Sequence, residues 1–331
     1  MSDYTRRDFL RTALVGLGAL VTVRFLSACS PPSTSTPAAA AAPVPSLLPK
    51  SHSAENRSPG TYPDIVVVKN AEPEELVRNA IDALGGIKRF VKKGDNVILK
   101  PNIGPATRTY EYAATTNPWV VAAVVKLCLE AGAGRVRVMD KPFGGTAESG
   151  FATSGIKEQV EKAGGEIEIM SRFKYVSTDI PMGKDIKKWD IYEDILKADV
   201  LINLPIAKHH SASRLTLGMK NLMGTIQNAQ LFHMNLHQRI ADLATLVRPT
   251  LTIMDAVRIL VAHGPTGGDL NDVRKLDTVI AGTDIVALDS YATSLFGMKP
   301  EDIPNIKMAA AQGVGNSDLA SLNIKEITLG N

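Results

Sequence analysis

Cysteine is scarce in this 331-residue sequence: there are two, Cys29 and Cys128. That excludes a disulfide framework, and with no CxxC pair it also excludes a cysteine-ligated iron–sulfur cluster supplied by this chain. Cys128 falls in the apolar run VVAAVVKLCLEAG, where it reads as a core residue. Strong charge of either sign is missing as well. The net charge is +3, and residues 1–28 carry four Arg against two Asp, which leaves the remainder near +1. A balance so close to zero gives no reason to expect a nucleic-acid partner. Several catalytic signatures are absent: no GxGxxG after a strand, no GxxxxGK[ST], no GxSxG and no HExxH. There is no internal repeat of 20–50 residues.

The N-terminus has its own composition. Thr5–Arg11 reads TRRDFLR, and an apolar stretch, ALVGLGALVTV, occupies 13–23. That stretch is short for a bilayer span, and Arg24 interrupts it. Twin arginines followed by such a stretch resemble a twin-arginine export signal, which would take 1–28 to the translocation machinery. Leu26-Ser27-Ala28-Cys29 resembles a lipobox, which would make Cys29 the lipidated first residue of an extracytoplasmic, membrane-anchored protein. One lipid group tethers a protein without making it span. Pro, Ala and Ser dominate 29–61, and no apolar period appears there, so this is expected to be a tether.

From residue 62 the pattern alternates. Val- and Ile-rich runs at 64–69, 96–100, 135–140, 199–204, 250–255 and 277–282 read as strands. Amphipathic runs at 72–84, 118–132, 154–164, 191–199, 237–247, 285–297 and 304–312 read as helices. Asn117-Pro118 is a helix start signal, and Gly132 with Gly134 a stop. This order predicts an α/β fold over 62–331, with a mostly parallel sheet covered on both faces, as one large domain or two intimate subdomains. Strand order is not legible.

The strands end on polar residues. Lys100 and Asn102 follow one, Asp140 another, Asn203 and Lys208 a third, and Asp255 a fourth. Ligands in open α/β sheets bind outside the carboxyl ends of the strands, so parallel neighbours would bring these residues to one rim. Turns also need Asp, Asn and Pro, so a single polar end says little. Two Gly-rich loops, KPFGGTAESG (141–150) and AHGPTGGD (262–269), lie beside the same ends; Gly144 and Gly145 would open backbone N–H groups toward an anion.

Residues 205–224, PIAKHHSASRLTLGMKNLMG, concentrate the side-chain chemistry. Four of the six histidines lie between 209 and 237. Lys208, Lys220 and Asn221 offer donors suited to phosphate or carboxylate. A histidine among lysines is held neutral, able to act as a base. His233 and His237 at i, i+4 would share a helix face, and with His210 or Asp255 they would make a divalent-metal set. A solvated polar loop is the third reading. The apolar residues of LTLGMKNLMG speak against it, since they should pin the segment into the fold.

The chain resembles the bacterial and archaeal family catalogued as domain of unknown function 362. The resemblance is carried by ILKPN (98–102), TNP (116–118), EAGAGRVRVMD (130–140), SGIKE (154–158), ADVLINLPIAKHH (198–210), LTLGMKNLMG (215–224), His237, MDAV (254–257), HGPTGG (263–268) and AGTDIVALD (281–289). Its Lys-x-His and Lys-Asn-Leu-x-Gly pieces single out Lys208, His210, Lys220 and Asn221. Many members carry a ferredoxin-like Cys-rich segment, which is missing here. An iron–sulfur role would therefore need a cluster supplied by a partner.

These readings combine into one expectation and its alternatives. Lys100, Asn102, Lys208, Lys220, Asn221, Gly144 and Gly145 hold a small phosphate- or carboxylate-bearing ligand. His210 or His237 is the acid/base, while Asp140 and Asp255 orient those groups or hold a divalent cation. The alternative to an enzyme is a ligand-binding lipoprotein or an assembly factor for a redox complex.

Overall fold

The computed structural model describes residues 62–330. The expected signal (1–28), Cys29 and the tether (29–61) lie outside the described residues.

The strands are β1 (Ile65–Lys69), β2 (Asn96–Lys100), β3 (Arg135–Val138), β4 (Glu166–Ile167), β5 (Tyr175–Asp179), β6 (Lys188–Tyr192), β7 (Val200–Asn203), β8 (Ile206–His210), β9 (Arg214–Thr216), β10 (Leu251–Leu260), β11 (Val273–Gly282) and β12 (Ile324–Thr328). The helices are α1 (Pro73–Ala83), α2 (Pro118–Glu130), α3 (Ala147–Thr153), α4 (Ile156–Lys162), α5 (Glu193–Lys197), α6 (Gly218–Asn221), α7 (Leu236–Leu246), α8 (Ile285–Ala292) and α9 (Pro304–Ala311). The large sheet runs β12-β1-β11-β10-β7-β2-β3-β4, with β8 and β9 attached through β10, and β5 and β6 form a separate hairpin. Pairing is parallel from β10 through β7, β2 and β3 to β4, while β11 is antiparallel to both its neighbours. The protein is thus α/β with a mostly parallel sheet.

Strand alternation divides the interior into two cores. Val66, Val68, Val97 and Leu99 pack with α1, α2 and α4 through Leu76, Val120 and Ile156. Ile65, Val67 and Ile98 point the other way, into a core completed by Met219, Ile240, Val286 and Ile306 of α6, α7, α8 and α9. Successive strand side chains face opposite sides of a sheet, so two cores mean that both faces are covered. Each fully buried Val, Leu or Ile contributes about 1.5–3 kcal/mol. The start of α2 forms as its sequence dictates: Asn117 Oδ1 accepts the Trp119 N–H at 3.0 Å, with Pro118 in the first turn.

Three local readings are corrected. PIAKHH, for which a solvated loop is one of three readings, contains β8. The Gly-rich stretch 141–150 runs into α3, whose N-cap Thr146 accepts the Ser149 N–H at 3.1 Å. β10 does not end at Asp255. It leaves β7 at Thr252 and continues alongside β8 to Leu260, which leaves Asp255 fully buried within the strand.

Candidate functional site

β8 and β9 form a hairpin that pairs Lys208 with Thr216, His209 with Leu215 and His210 with Arg214. The two-residue period turns Lys208 and His210 to one face and His209 to the other. His209 Nδ1 accepts the Gly264 N–H at 3.1 Å, on the side away from the cavity lining. Strand geometry thereby separates two adjacent histidines by role.

After β9 the chain enters the short helix α6, which is held by a buried carboxylate. Asp289, on α8, accepts the N–H groups of Gly218 at 2.6 Å and Met219 at 3.0 Å. Burial pushes Asp289 up to about 7, against those two N–H groups, which favour the charged form. A Cβ at Gly218 would come within 2.7 Å of Asp289 Oδ1, so glycine allows this close approach. The anchored helix delivers Lys220 and Asn221.

Asn221 joins two strand ends, those of β2 and β7. Its amide donates to Asn203 Oδ1 at 2.9 Å and to the Lys100 carbonyl at 3.2 Å. Its Oδ1 accepts from Asn102 at 3.0 Å and from Lys100 Nζ at 3.2 Å. Lys100 Nζ also forms a buried ion pair with Asp140 Oδ1 at 2.6 Å. The second Asp140 oxygen accepts the Ile103 N–H at 2.9 Å. Gly224 backs this pair: a Cβ there would sit 1.9 Å from Asp140 Oδ1.

Lys208 is enclosed differently, and is only 1% exposed. Its ammonium faces the carbonyls of Gly104 (2.9 Å), Pro265 (3.2 Å) and Ala114, together with Asn102 Oδ1 (3.2 Å). Three N–H donors among these four oxygens leave none over for a ligand. Burial, with repulsion from Lys220, brings Lys208 down to about 7, while Asp140 opposes the shift.

These groups line a cavity of about 620 Å³ that also takes in Lys141, Phe143, Met223 and His233. Four lysines, Lys100, Lys141, Lys208 and Lys220, stand there against one carboxylate, Asp140. Lys220 has neither a hydrogen bond nor an ion pair among the described residues. Burial first, and then the charge of Lys100, bring its pKa down to about 8. His210 Nδ1 accepts the N–H groups of Ala212 (3.0 Å) and Ser213 (3.3 Å). A ring nitrogen that accepts carries no proton, so the neutral ring holds its proton on Nε2. Burial, Lys220 and Lys208 push His210 down to about 3. His210 at neutral pH is thus a fixed hydrogen-bond donor. This corrects the expectation of a general base, because its one accepting nitrogen is occupied.

The structure sorts the remaining expected residues. Lys100, Asn102, Asp140, Lys208, His210, Lys220, Asn221 and His233 line the cavity, and Asn203 is buried behind Asn221. His237 does not line it: its Nδ1 lies 3.1 Å from Asn305 Oδ1 and ties α7 to α9. Asp255 also stands apart, accepting the N–H groups of Asn117 (2.7 Å) and Val257 (2.9 Å), and burial raises it to about 7. Asp255 therefore fixes the start of α2. His233 sits in a 3-10 turn ahead of α7, so His233 and His237 share no helix face. Among the described residues no three His, Cys, Asp or Glu side chains converge as a metal set. The expected set of His210, His233, His237 and Asp255 is not brought together. Gly144 and Gly145 are likewise outside the lining, where Pro142 and Phe143 stand instead. Lys141, Phe143, Thr216 and Gly224 were not singled out from the sequence. Thr216 was readable only once β8 and β9 were known to pair.

Fold and cavity together define an α/β protein with a lysine-rich site at the carboxyl ends of β2, β3 and the β7–β8 segment. The family described as Domain of unknown function (DUF362) matches residues 97–294, and the chain belongs to it. It is 29% identical over 260 residues to the Thylakoid-associated protein sll1697 of Synechocystis sp., covering 74% of this chain and 76% of that protein. Among solved structures it is similar to the lactate racemase apoprotein from Thermoanaerobacterium thermosaccharolyticum, with a TM-score of 0.43 and 14% identity over 66% of this chain and 54% of that one. A crystal structure of a Thermotoga maritima protein gives a TM-score of 0.41 and 11% identity, over 68% of this chain and 58% of that one.

Proposed function

We propose that this protein binds, and acts on, a small phosphate- or carboxylate-bearing molecule in the Lys220 cavity, from a station at a membrane surface. The observation that carries the reading is Lys220, an ammonium without a counter-charge in a cavity where lysines outnumber carboxylates. A buried charge is costly unless paired, and an anionic ligand supplies the missing partner. The neutral His210 adds a directed N–H, and Lys141 adds a second cation without a carboxylate partner. Lys100 and Lys208 shape the field of the site while remaining engaged with protein oxygens.

Export by the twin-arginine route and lipidation at Cys29 account for the membrane station. The relative's name, thylakoid-associated, is in keeping with it. No helix among the described residues is long and apolar enough to cross a membrane.

Calorimetric titration with inorganic phosphate and with a dicarboxylate tests the ligand reading. Loss of one charge-assisted contact in Lys220→Met should weaken binding about 10- to 100-fold. Equal affinity in wild type and K220M would remove it. The station is tested by fractionating cells that express the full chain. Cys29→Ser should move the protein from the membrane to the soluble extracytoplasmic fraction, and unchanged membrane retention would argue against a lipid anchor.

A further inference from the structure

We propose that Lys220 is a nucleophile that forms an imine with an aldehyde or ketone carrying an anionic group, such as a 2-oxo acid. The proposal rests on the anion-binding reading and names the ligand class of the same cavity.

Three observations converge on it. The first is access. Lys220 lines a cavity of about 620 Å³ and has no hydrogen-bond or ion-pair partner among the described residues, so its nitrogen is free to meet a ligand carbon. Lys100 is held by Asp140 and Lys208 by four oxygens, and neither has that freedom.

The second is the state of the amine. Burial and the neighbouring Lys100 charge depress Lys220 to about 8, which is how a lysine is activated when it sits desolvated beside another cation. At neutral pH it holds on the order of a hundredfold more neutral amine than an ordinary lysine.

The third is the neighbouring donor. His210 lines the same cavity, and its Nδ1 is bound to the Ala212 and Ser213 N–H groups, which leaves Nε2–H to polarise a carbonyl oxygen. Lys141, also in the lining, remains to hold the ligand's carboxylate or phosphate.

The step balances without a co-reactant. The amine nitrogen bonds to the carbonyl carbon, the carbon–oxygen bond breaks, and the oxygen leaves as water with both amine hydrogens. Nothing is oxidised or reduced. The product is an electron sink one bond from the ligand's adjacent carbon, suited to proton abstraction or carbon–carbon cleavage there.

The test is reductive trapping. Full-length protein is incubated with pyruvate, or with glyceraldehyde 3-phosphate, and cyanoborohydride near neutral pH, and then mapped by peptide mass spectrometry. The expected result with pyruvate is an adduct on Lys220 with the mass of pyruvic acid less one oxygen atom. It should form in preference to any adduct on exposed lysines such as Lys162 and Lys188, and be absent from that peptide in Lys220→Arg. K220R keeps a charge at the position, and its circular dichroism spectrum and melting temperature report that it folds. Adducts scattered over exposed lysines, or none on Lys220, overturn the proposal. If the wild type meanwhile binds phosphate or a dicarboxylate, the anion-binding reading stands and only the imine falls. If it binds neither, both fall.

Discussion

Lys100, Lys208 and Lys220 carry the same side chain into three electrical settings. One ammonium meets a carboxylate, one is ringed by carbonyl oxygens, and one faces the open cavity alone. Only the third keeps its capacity for a ligand. The sequence showed that Lys100, Lys208 and Lys220 belong together, because strand ends and charge-bearing donors converge. It did not show which of them is free, because that depends on carbonyls contributed by Gly104, Ala114 and Pro265 from distant loops. Glycine matters at the same scale. A methyl group at Gly224 would press on Asp140 Oδ1 at 1.9 Å and on Lys100 Nζ at 2.7 Å. Gly224→Ala should therefore cost about 1–3 kcal/mol by overpacking the ion pair. A lowered melting temperature together with weaker ligand binding is the expected result. An unchanged melting curve would show that the loop yields without cost.

At the scale of elements, the β8–β9 hairpin and α6 make the site. Their existence was hidden because Lys208, His209 and His210 are polar in succession, so no apolar alternation marks the strand. Asp255 was misplaced for a related reason. A polar residue after an apolar run looks like a strand end, whereas β10 continues past it and buries it. The β2 and β3 ends gave no such trouble, and Lys100 and Asp140 stand where the strand pattern put them. The anchor of α6 yields its own prediction. Asp289→Ala would leave the Gly218 and Met219 N–H groups buried without acceptors, at about 1–3 kcal/mol each. Thermal unfolding should show that loss, and affinity for the anion should fall with it, because Lys220 rides on the same helix. Destabilisation with full affinity would mean that α6 holds its place without Asp289.

For the whole molecule, the alternation of Val- and Ile-rich strands with amphipathic helices was enough to give an α/β fold and a sheet buried on both faces. Strand order was not, because β1, β11 and β12 bring the two ends of the described chain together through pairings far apart in sequence. The near-neutral balance outside residues 1–28 also has a consequence at this scale. The positive field at the cavity is local, set by which side chains the fold gathers, and is not a property of a generally cationic surface. That field, centred on Lys220, is the core of the account. It is tested most directly by titrating wild type and K220M calorimetrically with a dicarboxylate, whose own charge stays constant from neutral pH upward. Loss of the Lys220 proton at about 8 should make wild-type affinity fall about tenfold per unit above that pH, on top of a gentler decline from Lys208 at about 7 that both proteins share. K220M should bind weakly, without that inflection. Matching affinities and matching pH profiles in the two proteins would contradict the account.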